Sequence, residues 1–244
     1  MFSAPGVVAL AGAAERRWGS PAAGWLAAIP TTLPIAILAV AAEFGDRAGS
    51  QLALSAAAHV GAQVAFAVTF ALLLRRWGLL VGLACGAAMF GALSLVINTL
   101  PAPVAVLFAL PALAFGPRLF ADRGSSERPG RRARRDTLLA CSVASLLVGC
   151  VLVVARVAGP GAAGAIGAFP ALSSALAMIA GRQTGYSAAA GALQGVVRGL
   201  PGYLAFCLVV SVAAPSVGTV GAVLLAAAAC VGTCCVTWRG VRTA

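Results

Sequence analysis

Two stretches of this sequence match each other at a constant separation. This separation equals that between Gly24 and Gly164, and it is called the repeat interval. PAAGWLAAIPTTLPIAILAVAAEFGDRA at 21–48 aligns without a gap with GAAGAIGAFPALSSALAMIAGRQTGYSA at 161–188. Glycine and proline coincide in the alignment: Gly24 with Gly164, Pro30 with Pro170, Gly45 with Gly185, and further on Gly78 with Gly218. Because these two residue types act on the backbone, each coincidence requires the same local geometry twice. The chain is therefore predicted to contain two copies of one structural unit.

The apolar runs in this chain are long enough to cross a membrane. Of its residues, 61 % are hydrophobic and 9 % charged, and the mean hydropathy is +0.99. A soluble core is excluded because several runs approach or exceed the ~20 residues that span hydrocarbon. The sequence predicts an all-α, polytopic membrane protein with about eight transmembrane helices. The predicted spans are 24–42, 54–74, 78–98, 102–120, 137–158, 162–180, 188–213 and 217–238.

The positive charge predicts the orientation in the membrane. All 17 basic residues are arginine, and the net charge is +11. The arginines cluster at helix ends and in the polar segment 121–136, so they indicate cytoplasmic loops rather than nucleic-acid binding. With that segment inside, both termini are cytoplasmic and the loop 43–53 lies outside. The arginine, alanine and glycine bias is typical of a GC-rich bacterial genome, which places the protein in a bacterial plasma membrane.

An odd number of spans separates the two units, so the second is predicted to insert upside down relative to the first. The first membrane repeat is 1–100, with a truncated leading helix at 1–20. A linking helix and basic loop follow at 101–136, and the second repeat is 137–244. Inverted-topology repeats are the ground plan of many secondary transporters. Alternatively, duplication merely makes a stable helical bundle.

Helix breaks are predicted in the first and sixth spans. Pro30 and Pro34 interrupt the first and Pro170 the sixth. Proline removes one backbone hydrogen bond and frees a carbonyl, which hydrocarbon tolerates only where other polar groups satisfy it. Four hydroxyl side chains follow these prolines: Thr31, Thr32, Ser173 and Ser174. Either the hydroxyls satisfy a simple kink, or the breaks line a polar cavity between the repeats.

Four further polar residues lie within predicted spans. Arg198 lies about ten residues inside the seventh span, where an arginine costs roughly 2.5–3.5 kcal/mol and needs a partner, water or an anionic solute. His59, the one histidine of the chain, is one position from the repeat equivalent of Arg198. It is either a packing residue or a proton carrier. Gln63 and Tyr203 occupy equivalent positions and are expected to add polar contacts to the same cavity.

Small residues predict close helix packing. Glycine recurs every four residues at Gly78, Gly82 and Gly86, and again at Gly191, Gly195 and Gly199. Such stripes let helix backbones approach closely in lipid. The seven cysteines all lie in apolar segments without a neighbouring carboxylate, so they are interpreted as small apolar residues. No metal site, cofactor or catalytic residue is predicted, because no hydrolase or metalloenzyme motif is present.

One short pattern suggests a family. The element Gly24-x4-Ile29-Pro30, followed by an apolar helix, a short polar loop and another apolar helix, resembles the GlpM-like small bacterial inner-membrane proteins. The segment from Ala163 to Pro170, AGAIGAFP, resembles them too. The resemblance covers roughly 20–98 and 137–238. It implies two such units in tandem, and it implies no particular activity.

These observations favour a secondary transporter of a small polar or anionic solute over an enzyme. The substrate-binding residues are then Arg198, His59, Gln63, Tyr203 and the four hydroxyls. The alternative is a non-transporting membrane subunit or scaffold. The lipid bilayer is the one partner that the sequence predicts, and the oligomeric state stays open.

Overall fold

The computed structural model describes residues 17–120 and 134–242, together with Ala14, and these residues form helices and turns without a strand. The prediction of an all-helical protein is confirmed. The predicted short helix at 1–20 and the basic loop 121–136 lie mostly outside the described residues. The helices are α1 Ser20–Ala27, α2 Leu33–Phe44, α3 Asp46–Ala58, α4 Val60–Ile97, α5 Ala102–Leu119, α6 Arg134–Gly167, α7 Ala171–Gln183 and α8 Tyr186–Arg242.

Within the described residues, four helical stretches are long and apolar enough to cross a membrane: Asp46–Ile97, Ala102–Leu119, Val148–Gln183 and Tyr186–Trp238. Large apolar side chains cover their outer faces, for example Leu80, Leu95 and Val157, which are 68 %, 73 % and 83 % exposed. An exposed apolar surface of this kind fits lipid rather than water. The stretches are therefore those of a helical membrane protein.

The longest helices are hairpins that turn at a single glycine. α8 comprises 57 residues and would extend about 85 Å if it were straight. Instead it reverses at Gly218, where φ is 75° and ψ is 157°. α4 and α6 reverse in the same way at Gly78 and Gly159. This backbone region is open almost only to glycine, so each turn depends on the missing side chain.

Contacts between the two legs establish the reversal. A Cβ placed on Gly82 would lie 2.8 Å from Cδ2 of Phe70, and one on Gly86 would lie 3.1 Å from Cδ2 of Phe66. Residues further after Gly78 thus contact residues further before it, as in an antiparallel hairpin. In α8, a Cβ on Gly202 would lie 2.6 Å from Sγ of Cys234. Gly82 and Gly86 lie at the helix contact, whereas Gly78, predicted to belong to the same stripe, forms the turn.

The described glycines with positive φ occur in pairs that are separated by the repeat interval. There are six, with φ between 75° and 104°. The pairs are Gly19 with Gly159, Gly45 with Gly185, and Gly78 with Gly218. The helix boundaries follow the same interval, since α1 and α2 correspond to the end of α6 and to α7. The backbone therefore turns at matching points in both halves.

Each half contributes a short helical segment to the other half. α1 lies on α8, where a Cβ on Gly195 would collide with the carbonyl oxygen of Pro21 and one on Gly24 with that of Ala192. Conversely, residues 160–167 lie on α3, where a Cβ on Gly164 would lie 2.6 Å from the carbonyl oxygen of Leu52. Gly24 and Gly164 are separated by the repeat interval, and so are Leu52 and Ala192. The two contacts are therefore the same contact with the halves exchanged.

Following the chain through its turns assigns every connection to one of two ends of the bundle. The turns at Gly19, Gly78 and Gly185 lie at one end, called the basic end. It carries the described residues Arg17, Arg75, Arg76, Arg118 and Arg182. The turns at Gly45, Gly159 and Gly218 lie at the opposite end, which carries Glu43 and Asp46. Arg156 pairs there with Glu43, with 2.7 Å between Nε and Oε1.

Candidate functional site: a polar cavity between two helix breaks

Two helix breaks meet in the middle of the bundle. Residues 28–32 separate α1 from α2, and residues 168–170 separate the end of α6 from α7. Pro30 and Pro170 lie inside these breaks. Pro34 was predicted to interrupt the same span, but it lies at the second position of α2. Proline is tolerated there because the first helical N–H groups have no intrahelical acceptor. The first break therefore comes before Pro34.

A cavity of about 50 Å³ lies between the breaks. At this volume it has room for a few water molecules or a comparably small solute. The polar side chains of its lining are Thr31, Thr32, Gln63, Ser173 and Tyr203. The predicted site residues His59, Arg198 and Ser174 are not part of this lining. The structure thus brings together five of the eight predicted side chains.

Residues of the lining also occur in pairs that are separated by the repeat interval. The segment 27–33 and Gln63 correspond to the segment 167–173 and Tyr203, and all of these line the cavity. Only Val196 and Leu200 complete the lining without such a counterpart there. The cavity therefore lies where equivalent parts of both halves meet. Its chemistry is not symmetric, since Thr31 and Thr32 of one segment correspond to the apolar residues Ala171 and Leu172 of the other.

Gln63 and Tyr203 are two deeply buried polar side chains of the cavity. They are 4 % and 7 % exposed. The two side chains are close enough to interact, yet neither Nε2 of Gln63 nor the Tyr203 hydroxyl makes a hydrogen bond of good geometry within the protein. A buried polar group without a partner costs about 1–3 kcal/mol. Water or a bound solute in the cavity would remove that cost.

The hydroxyl groups near the breaks divide between two roles. Ser174 donates a hydrogen bond of 2.7 Å from Oγ to the carbonyl oxygen of Pro170. The same carbonyl accepts the backbone N–H of Ser174 at 2.8 Å, so the hydroxyl adds a second hydrogen bond at the start of α7. Ser173 faces the cavity instead, although it is the neighbouring residue. The second break accordingly combines local satisfaction with a polar surface.

The helix ends add partial charges of both signs to this cavity. α2 and α7 begin at the breaks, while α1 and residues 160–167 end there. Helix N-termini present free N–H groups and C-termini present free carbonyls. The described lining contains no ionisable side chain apart from Tyr203. The arrangement can therefore hydrogen-bond a polar molecule but offers no counter-ion to a full charge.

A stripe of polar residues connects the cavity with the opposite end of the bundle. Gln51, Ser55, His59 and Gln63 follow each other at intervals of four along α3 and the start of α4, which places them on one face. A second pocket, of about 260 Å³, includes Gln51, Ser55 and His59 together with Asn98. Gln63 lies one helical turn further, in the cavity. Only about 6 Å of helix separates the pocket from the cavity.

His59 is the most deeply buried residue of this stripe. It is 1 % exposed and its ring is 6.3 Å from that of Phe90. Nδ1 lies 2.7 Å from the carbonyl oxygen of Ser55, which makes Nδ1 the protonated nitrogen. Nε2 is buried without a hydrogen-bond partner. His59 therefore presents a free hydrogen-bonding atom between the pocket and the cavity.

The corresponding stripe in the second half is closed. The counterparts of Gln51, Ser55 and His59 are Gly191, Gly195 and Gly199, and α1 lies directly on these glycines. A Cβ on Gly199 would lie 2.8 Å from the carbonyl oxygen of Trp25. Glycine contacts this close leave no space for water. The cavity is thus approached by a polar stripe on one side and sealed by helix packing on the other.

The structure does not bring Arg198 to the cavity. At 100° per residue, Arg198 points about 160° away from Val196, which lines the cavity. Its side chain is half-buried, and Nη1 is enclosed without a partner. Along α8 it lies between Val196 and Leu200, which both line the cavity. Arg198 is therefore at the level of the helix breaks, but on the face of α8 that is turned away from the cavity.

Three tryptophans pack together where α1 meets the C-terminal part of α8. Trp238 packs against Trp18 and Trp25, with ring centroids 5.4 Å and 4.8 Å apart. Trp25 donates a hydrogen bond from Nε1 to Oγ1 of Thr237, at 3.2 Å. Such amphipathic rings are typical of the membrane–water interface.

Sequence reasoning missed the polar stripe, although the spacing of four from Gln51 to Gln63 was visible. Among the described residues there is no group of three or more His, Cys, Asp or Glu side chains that could hold a metal ion. Comparison with protein-family models, curated proteins and solved structures finds no significant match. The suggested GlpM-like family accordingly stays a prediction.

Proposed function

We propose that this protein is a secondary transporter that binds a small polar solute in the cavity between the two helix breaks. One observation carries the proposal: Gln63 and Tyr203 are more than nine-tenths buried and line this cavity, and neither Nε2 of Gln63 nor the Tyr203 hydroxyl makes a well-formed hydrogen bond. A purely structural core would replace them with apolar residues, because unpaired buried polar groups destabilise the fold. A solute that passes through the cavity explains why they are kept.

The proposed solute has no net charge, which differs from the anion that Arg198 suggested. Arg198 lies outside the lining, and no described carboxylate lies within it. A full charge in this surrounding would have neither a counter-ion nor enough water. Helix N-termini and C-termini instead offer partial charges of both signs. The proposal includes no catalytic step and no cofactor.

The proposed architecture consists of two inverted repeats that cross a bacterial plasma membrane eight times. It is supported by the paired glycine turns, by the exchanged contacts of Gly24 and Gly164, and by the paired lining of the cavity. In this arrangement the basic end is cytoplasmic. The polar stripe then leads to the outside, and the glycine stripe seals the cytoplasmic side. Transport requires the seal of α1 on α8 to open.

Solvent access to the cavity tests this proposal directly. In a variant whose seven cysteines are replaced by alanine, Ser173→Cys should react with a small membrane-impermeant methanethiosulfonate reagent added from outside. Ala177→Cys is the matched control, since Ala177 lies one turn further on α7 and is fully buried. We expect labelling of Ser173→Cys at least ten times faster than that of Ala177→Cys. Equal, slow labelling of both would contradict a water-connected cavity.

The small volume of the cavity favours one alternative, a non-transporting membrane subunit. In that case a few ordered waters satisfy Gln63, Tyr203 and the freed backbone groups. Osmotic swelling of proteoliposomes in glycerol, urea or formamide separates the two functions. Swelling faster than in protein-free liposomes, and slowed by Gln63→Leu, supports transport. Labelling of Ser173→Cys without any accelerated swelling supports the subunit.

A further inference from the structure

A groove separate from the central cavity lies between α7 and the second leg of α4. Its volume is about 500 Å³. Most of its surface is apolar, with Leu80, Leu83, Ala87, Ala175, Met178 and Ile179 among its walls. Arg182 and Gln183 lie at one end and Phe169 at the other. It is thus an apolar groove with an arginine at its open end, which is called the mouth of the groove.

The groove has the length of one membrane leaflet. From Ala171 to Arg182, α7 rises about 17 Å, and half of the hydrocarbon layer is about 15 Å thick. Because Arg182 belongs to the basic end, the groove runs from the membrane surface to the middle of the bilayer. There Phe169 closes it, packed edge-on against Phe66 and Phe90 at 6.0 Å and 5.4 Å. An extended acyl chain fits this shape.

The mouth of the groove favours an anionic headgroup. Arg182 is exposed, and Arg75 and Arg76 come just before the Gly78 turn at the same end of the bundle. A Cβ on Gly181 would lie 2.5 Å from Cδ2 of Leu79, so this turn packs directly beside the arginine of α7. Glu43 and Asp46 lie at the opposite end. Arginines near the surface of a leaflet attract anionic lipid by about 1 kcal/mol each.

We propose that this groove binds an anionic phospholipid, with one acyl chain between α4 and α7 and the phosphate at Arg182. The lipid tail ends at Phe169, which also lines the central cavity. The acyl chain therefore forms the outer side of the wall that encloses the cavity. This site is independent of whether the protein transports a solute.

Native mass spectrometry of the full chain, titrated with phosphatidylglycerol or phosphatidylcholine of identical acyl chains, tests the site. We expect one phosphatidylglycerol to be retained at least tenfold more tightly than phosphatidylcholine. Arg182→Gln should abolish this preference. Arg118→Gln is the matched control, because Arg118 is exposed at the same end but lies outside the groove. It should leave the preference unchanged.

A second pair of variants tests the acyl chain. Ala87→Trp fills the groove and should reduce retained phosphatidylglycerol at least tenfold. Ala227→Trp is the control, since Ala227 is the counterpart of Ala87 in the second repeat, exposed and outside the groove. In the unchanged protein, lysophosphatidylglycerols of increasing chain length should bind more tightly by up to roughly fourfold per methylene. The gain should cease once the chain reaches Phe169.

Three outcomes would overturn the proposal. Equal retention of both lipids by the unchanged protein would contradict headgroup recognition by Arg182. If the affinity of lysophosphatidylglycerols does not rise with chain length, the acyl chain does not bind in the groove. This test holds even if Ala87→Trp does not fold. A dimer that Ala87→Trp dissociates identifies a second copy of this chain as the occupant.

Discussion

The hydroxyl of Tyr203 has opposite expected effects on stability and on transport. Because the hydroxyl is buried without a well-formed hydrogen bond, Tyr203→Phe should raise the free energy of unfolding by about 1 kcal/mol. The same substitution removes a hydrogen bond to the proposed solute and should slow proteoliposome swelling several-fold. Thermal unfolding in detergent and swelling rates measure the two effects. A less stable Tyr203→Phe would show that the hydroxyl has a structural partner.

His59 is expected to control access from the opposite end of the bundle. His59→Leu keeps an apolar contact with Phe90 but removes the polar atom between the pocket and the cavity. Labelling of Ser173→Cys from outside should then slow at least tenfold. His59→Asn is the matched variant, since an amide restores a polar atom of similar reach and should retain most of the labelling. Equal labelling rates in the two variants would show that the reagent reaches Ser173→Cys by a route that does not pass His59.

At the scale of helices, the seal between α1 and α8 depends on Gly195. A Cβ there collides with the carbonyl oxygen of Pro21, so Gly195→Ala should lower the free energy of unfolding by about 1–3 kcal/mol. Gly232→Ala is the control, because Gly232 is helical and a Cβ on it would meet nothing within 4 Å. It should be neutral, or stabilising by about 0.5–1 kcal/mol. Thermal unfolding in detergent compares the two. Equal stability of both variants would contradict close packing of α1 on α8.

Helices and turns were largely predictable from the sequence, since apolar length and glycine act locally. The paired prolines predicted both breaks, the aligned glycines at 45 and 185 and at 78 and 218 lie at turns, and Gln63 and Tyr203, which the alignment paired, both line the cavity. Arg198 was expected to face the cavity but lies on the opposite face of α8 from Val196 and Leu200, because hydropathy does not show which face of a largely apolar helix turns inward. Gly78 and Pro34 were misread for another reason. Each lies at a helix boundary, and hydropathy places boundaries only within several residues.

At the scale of the whole molecule, the two ends of the bundle should lie on different sides of the membrane. Reporter fusions after Ser50 and after Gly130 measure this in cells. Ser50 follows the Gly45 turn of the opposite end, and Gly130 lies between α5 and α6, which meet at the basic end. We expect the first fusion to report the outside and the second the cytoplasm. Fusions that report the same side would contradict both the topology and the inverted repeats.

The exchange of short helices between the halves has a consequence for biosynthesis. Gly24 of α1 rests on Ala192, which belongs to the second half and is synthesised much later. At 5–20 residues per second, the ribosome completes this partner roughly 10–30 seconds after α1 has emerged. During that time the first half is in the membrane, but its helix break lacks the second break that it meets in the folded protein. The short helix α1 likewise lacks the surface of α8 on which it packs. Any delay in translation before Ala192 therefore prolongs the exposure of an unfinished protein to membrane proteases.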